Sequence, residues 1–146
     1  MKTFPKLGLL ISLFLLGACG GSNSTSKQFN TGLELSSALT DAQLPCTGYK
    51  TTPKADWGMG QEGAIEVGEC DLEGESIELT IWKDSAQRKN YEGLGKTLGC
   101  AFGKAFGISS FDYVNGGLWT IGNATETLSK QIAEQIGAEA VHHNCD

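Results

Sequence analysis

The sequence predicts an α+β fold: an antiparallel sheet with helices on one face, a two-layer sandwich in the order α-β-β-α-β-β-α, stapled by disulfides. Three observations predict it. Residues 64–82 carry two strand-like runs about Glu73-Gly74, the second alternating residue by residue between apolar and polar, which is the period of a sheet with one covered face. Three stretches before, between and after the strand-like runs place apolar residues at helical spacing. Finally, Cys46, Cys70, Cys100 and Cys145 all fall within residues 33–146, a length that gives one modest core and leaves no room for two.

The first helix is predicted from about Gly32 to Leu44. Thr31 with Glu34 has the form of a capping box, and Leu35, Ala38, Leu39 and Ala42 then fall at i, i+3, i+4 and i+7. Pro45 ends it, because a residue preceding proline is pushed out of the α region. A long loop follows from Cys46 to Gly63, and loops of that length are often functional. Tyr49, Trp57 and Met59 are its large side chains. Two roles stay open for them: folding back to cap the core, or forming an exposed recognition patch.

The hairpin comes next, Ala64–Leu72 and Glu75–Trp82 around Glu73-Gly74. Its second strand alternates Ile77, Leu79 and Ile81 with Glu78, Thr80 and Trp82. Lys83-Asp84-Ser85 breaks the pattern and supplies an N-cap. The second helix has Tyr91, Leu94, Leu98 and Ala101 or Phe102 as its buried stripe. It is expected to end near Cys100, since each of Gly93, Gly95, Gly99 and Gly103 costs about 1 kcal/mol relative to alanine inside a helix. Gly95, Gly99, Gly103 and Gly107 recur every four residues. In a membrane that spacing brings helices together; with Lys96 and Lys104 among them it reads as close packing on the sheet, or a loop after Cys100.

A second, shorter hairpin is predicted from Phe111–Val114 and Leu118–Ile121 about Asn115-Gly116-Gly117. Asn123 with Glu126 repeats the capping-box form. The last helix aligns Leu128, Ile132, Ile136 and Ala140, and its end is marked by residues 141–146.

The front of the chain is of another kind. Lys2 and Lys6 precede an apolar run from Leu7 to Leu16, followed by Gly17, Ala18 and Cys19, the pattern of a secretory signal peptide over residues 1–18. The run is short of the about 20 apolar residues that cross a bilayer. Leu16-Gly17-Ala18-Cys19 resembles the lipobox of bacterial lipoprotein precursors. The resemblance implies a diacylglyceryl group on the Cys19 thiol and cleavage after Ala18. Cysteine arithmetic agrees: five thiols are odd, and assigning Cys19 to lipid leaves four that can pair. Residues 19–32 are small and polar and read as a flexible tether with a reach of roughly 20 Å.

Four cysteines permit three pairings. Cys46–Cys70 would pin the long loop to the first strand. Cys100–Cys145 would join the ends of the second and third helices if these pack in parallel. The layout is also similar to small lipoproteins of uncharacterised function common in actinobacteria, through Leu44–Tyr49, Gly68–Cys70 and Leu118–Ile121; that similarity supports Cys46–Cys70.

Loss of Lys2 and Lys6 takes 11 basic residues to 9 against 17 acids, so the formal charge moves from −6 to −8. That balance argues against nucleic acid as a partner and against a polybasic grip on anionic lipid. No Cys-x-x-Cys pair, P-loop or dinucleotide glycine fingerprint occurs, so no cofactor is expected. His142, His143, Cys145 and Asp146 form a compact ligand-like group, yet adjacent histidines diverge and Cys145 is wanted by a disulfide, so no metal is expected either. With both histidines in the last five residues, a Ser-His-acid system lacks material.

The expectation is therefore a non-enzymatic binding or interaction module held at the outer face of a cell membrane by lipid on Cys19, or at an outer membrane in a Gram-negative source. An envelope protein or a small ligand is its expected partner. Two alternatives stand beside it: a small envelope hydrolase using carboxylates, and a blocking lipoprotein of phage or plasmid origin.

Overall fold

Glu73 and Gly74 both adopt left-handed backbone, with φ of 51° and 87°, in the computed structural model, which describes residues 26–145. Two consecutive positive φ values match the right-handed twist of paired strands. They close a hairpin between β2 (Ala64–Leu72) and β3 (Glu75–Trp82), paired from Leu72 opposite Glu75 to Ala64 opposite Trp82. These are the bounds that alternation predicts.

Four more strands extend the sheet: β1 (Thr47–Thr51), β4 (Ser110–Asn115), β5 (Trp119–Gly122) and β6 (Glu139–Asn144). Their order is β1-β2-β3-β5-β4-β6, and every pair is antiparallel. β4 and β5 are the expected second hairpin. The two edge strands were not expected. β1 lies in the stretch read as loop, which otherwise holds two single 3₁₀ turns at Lys54–Asp56 and Gln61–Gly63; its residues are exposed apart from Tyr49, which is partly covered, so no alternation betrays it.

β6 replaces the last turn of the predicted third helix. That helix, α4 (Glu126–Ile136), stops at Gly137, whose φ is 70°, and the Ala138 N–H reaches back to the Ala133 carbonyl. A left-handed residue with a six-to-one hydrogen bond is a Schellman stop. Ala140 therefore pairs with Val114 in the sheet instead of extending the helical stripe. The N-cap is likewise Thr125, whose hydroxyl accepts from the Leu128 N–H, not Asn123, which turns the chain at φ 58°.

The first helix, α1, covers Gly32–Asp41, three residues short of its expected end. Gln43 takes φ 64°, and the Leu44 N–H bonds back to the Leu39 carbonyl at 2.9 Å: the same stop without a glycine. Thr31 caps the start through the Glu34 N–H, while the Glu34 carboxylate accepts from Asn30. The chain read as tether is held earlier than expected. Phe29 is buried and meets Trp119 edge-on, and the Lys27 carbonyl accepts from the Trp119 indole at 2.7 Å. The leader, Cys19 and Asp146 lie outside the described residues.

Leu35 and Leu39 of α1, Leu128 and Ile132 of α4, Ile77, Leu79 and Ile81 of β3, and Trp119 and Ile121 of β5 form one buried cluster. Helices α1 and α4 thus make the helical layer of the sandwich. Strand alternation sends Thr80, Trp82 and Thr120 to the other face, where they too are buried. That face is covered by α2 (Ser85–Leu94), a π turn (Gly95–Gly99) and α3 (Cys100–Ala105), so helical cover also lies across the sheet's second side. The segment runs past the end near Cys100 that its glycines suggest.

Disulfides join Cys46 to Cys70 and Cys100 to Cys145, with Cα separations of 5.5 and 4.9 Å. On a chain-entropy basis they contribute about 3.5 and about 4 kcal/mol. The second bridge arises differently from the parallel-helix expectation: Cys145 follows the edge strand β6, and the bridge ties that edge to the first turn of α3.

Candidate functional site

The glycine spacing in the middle helical segment has a structural use. A Cβ on Gly95 would lie 3.8 Å from the Phe111 ring, one on Gly99 3.3 Å from it, and one on Gly103 3.2 Å from the Ile108 carbonyl. The first is ordinary contact; at Gly99 and Gly103 a side chain would crowd its neighbour, so glycine there eases the approach of the helix backbone to β4 and the segment before it. The π turn falls on the same stretch; such wide turns are rare and frequent at functional sites.

The helical segment meets β3 through Tyr91, whose ring lies 4.9 Å from that of Trp82, and β4 through Phe111. Between them lies a cavity of about 590 Å³, within the range of small-molecule sites. Tyr91, Leu94, Leu98 and Phe102 form its helical wall; Phe111 and Tyr113 of β4, Thr120 of β5 and Glu78 of β3 line the sheet side. Its rim is apolar and open to solvent. Met59, Phe102 and Ile108 are 71%, 63% and 51% exposed, and Phe106 nearby is 81% exposed. Large apolar side chains gathered at a concavity mark interaction sites more often than scattered ones do.

Below the helix the walls are fixed by hydrogen bonds. The Trp82 indole donates to Thr120 Oγ1 at 3.0 Å, and its ring lies 4.9 Å from that of Tyr91. Gln61, 2% exposed, accepts from the Gly58 N–H and donates to Glu78 Oε1 at 2.7 Å. Burial, with Glu69 nearby, raises the Glu78 pKa against the lowering by Gln61 and Thr80. Burial and then the Glu78 charge push the Tyr91 phenol up to about 12; burial and the Glu92 charge do the same for Tyr113. Both phenols are thus neutral donors at ordinary pH. Glu92 is engaged by Arg88 at 2.6 Å, which leaves Glu78 as the lining carboxylate without a cationic partner.

The residues singled out from the sequence are dispersed. Tyr49 is half-buried: its hydroxyl donates to Glu66 and occupies the space beside Gly32 and Gly68, where no Cβ would fit. Burial and the Glu66 bond push this phenol up to about 12. Trp57 donates to the Thr52 carbonyl at 3.0 Å with Lys54 over its ring. Of the three, Met59 reaches the cavity.

The C-terminal histidines part as strand neighbours do. His143 packs on Phe111, and burial and then Lys96 lower its pKa. His142 lies on the α4 side, 2.8 Å from Asp112, with Glu126 beyond. Its pKa is raised, first by the Asp112 bond. Asp112, Glu126 and His142 hold their ligand atoms within 4.8 Å of one another. The group is internally satisfied: imidazole bonds Asp112 and Asn144, and Lys130 pairs with Glu126.

Sequence periodicity found the helical wall as a stripe but assigned it to a core. Alternation sets Glu78 on the face opposite Ile77 and Leu79, and Trp82 on that same face is buried. Gln61 carried no signal. No protein-family model, no curated protein and no solved structure matches this chain.

Proposed function

We propose that the protein is a lipid-anchored, outward-facing binding module of the cell envelope, non-enzymatic, which takes an apolar ligand in the cavity beneath α2 and α3. The observation that carries this reading is a cavity with aromatic and aliphatic walls and a solvent-exposed apolar rim, closed on its floor by a fixed hydrogen-bond network. Burying large apolar side chains stabilises a fold by about 1.5–3 kcal/mol each; Phe102, Ile108 and Met59 forgo that in the free protein. A ligand with apolar surface recovers it.

The address rests on the sequence: the lipobox-like Leu16-Gly17-Ala18-Cys19 and the even number of thiols left after Cys19. The chain enters the domain beside the β4–β5 turn, where Gln28 bonds the Gly116 carbonyl. The rim residue Ile108 precedes β4 at the other end of that strand, which spans about 20 Å at 3.3 Å per residue. Among the described residues no helix is long and apolar enough to cross a membrane.

A neutral, environment-sensitive dye such as Nile red tests the reading. Phe102 and Leu33 are both exposed, but Leu33 lies on α1 across the sheet. The expected result is dye emission that Phe102→Ser weakens and Leu33→Ser leaves unchanged. Equal emission from the two variants would contradict the cavity as the site.

A further inference from the structure

The cavity also has a charge preference. Among the described residues that line it there are three acids, Glu78, Glu92 and Asp112, and neither lysine nor arginine. Two of the acids have partners: Glu92 pairs with Arg88 at 2.6 Å, and Asp112 lies 2.8 Å from His142 on the far side of β4. Glu78 is the third. A carboxylate has about four acceptor sites; Gln61 fills one at 2.7 Å, Thr80 also bonds it, and no lysine or arginine lines the cavity beside it.

Four aromatic rings, those of Tyr91, Phe102, Phe111 and Tyr113, line the same space. Ring faces carry negative electrostatic potential and attract cations within about 6 Å. A half-buried carboxylate and aromatic walls favour the same sign of charge. Both disfavour an anion, whose desolvated charge would meet Glu78; no lysine or arginine is among the lining residues, and Arg88 beside Tyr113 is already paired with Glu92.

We infer that the ligand is an apolar molecule bearing one positive charge, an amine or quaternary ammonium, with its charged group at Glu78 and its hydrocarbon part along Leu94, Leu98 and Phe102. This rests on the cavity being a ligand site. It excludes fatty acids and other anionic amphiphiles from that site.

The test is calorimetric titration of the purified protein with decyltrimethylammonium, decanoate and decanol, each below its micelle-forming concentration. The cation is expected to bind at least about tenfold more tightly than either of the others, the ratio of one partly desolvated cation–π contact beside a carboxylate. Glu78→Gln is expected to remove the preference for the cation, bringing its affinity to about that of decanol. A cation no tighter than decanol, or a preference that survives in Glu78→Gln, overturns the charge assignment; the second outcome would place the cation on the acidic surface. Failure of all three to bind overturns the cavity reading itself. Should Glu78→Gln not fold, the Glu78 carboxyl carbon resonance of the unaltered protein answers instead. Decyltrimethylammonium must shift it; an unmoved resonance overturns the inference.

Discussion

At the scale of single residues, the sharpest constraint is Gly116, where an added Cβ would fall inside the Trp119 indole. That ring is fully buried and bonded to the Lys27 carbonyl, so it cannot step aside. Gly116→Ala is expected to cost about 1–3 kcal/mol by overpacking. Gly122→Ala, with open space around its Cβ, is expected to stay within about 0.5 kcal/mol. Urea midpoints of the two variants check this; equal midpoints would contradict it. His142 gives a pH signature. Its folded-state pKa is raised by Asp112, so its stabilising effect is complete below the unfolded value of about 6.5 and is lost as pH rises through the folded value. His143, lowered by burial, acts with the opposite sign and opposes folding as pH falls. The informative quantity is therefore the difference between the wild type and His142→Gln. Thermal melts are expected to show the variant less stable at pH 5 and nearer the wild type at pH 8; a gap that widens with pH would contradict the Asp112 pairing. Glu78→Gln is expected to cost no stability at neutral pH, because a carboxyl whose pKa is raised on folding opposes folding when ionised.

At the scale of elements, the two disulfides hold different things. Cys46–Cys70 ties the edge strand β1 to β2, whereas Cys100–Cys145 holds α3 over the cavity face. Replacing both cysteines of the second bridge by serine is expected to cost about 4 kcal/mol. In hydrogen exchange, residues 95–105 should lose protection ahead of β2 and β3. Serines at Cys46 and Cys70 should cost a similar about 3.5 kcal/mol but leave that segment protected. Loss of protection at 95–105 in both variants would contradict this division. Legibility follows the same line between local and non-local control. The β2–β3 hairpin was readable to the residue because its turn and its alternation are local. Helices α1 and α4 were readable as stripes, but their stops were not, since Gln43 carries no glycine signal and Ala140 continues the helical spacing by coincidence. β1 and β6 escaped because edge strands here show little burial. Both disulfide pairs were anticipated, although β6 supplies a different reason for the second. The cavity was illegible for a further reason: Tyr91, Leu98 and Phe102 look like a core stripe, and only the glycine-permitted approach to Phe111 turns that stripe into a wall.

At the scale of the whole molecule, one side of the sheet is packed against α1 and α4 while the other stays partly open. The tighter packing thus lies in the first layer and the proposed site in the second, the separation expected where a site is drawn from the less tightly packed part of a fold. The chain enters the domain beside the β4–β5 turn. Intact mass of the protein from its native envelope is expected to equal residues 19–146 plus a diacylglyceryl group, less four hydrogens for two disulfides; a mass equal to all 146 residues would contradict the anchor. The most direct test of the cavity as the binding site is an amide spectrum of the isotope-labelled protein titrated with decanol. Shifts confined to Leu94, Gly95, Gly99, Phe111, Tyr113 and their neighbours are predicted. An unchanged spectrum, or shifts centred on α1 and α4, would contradict it.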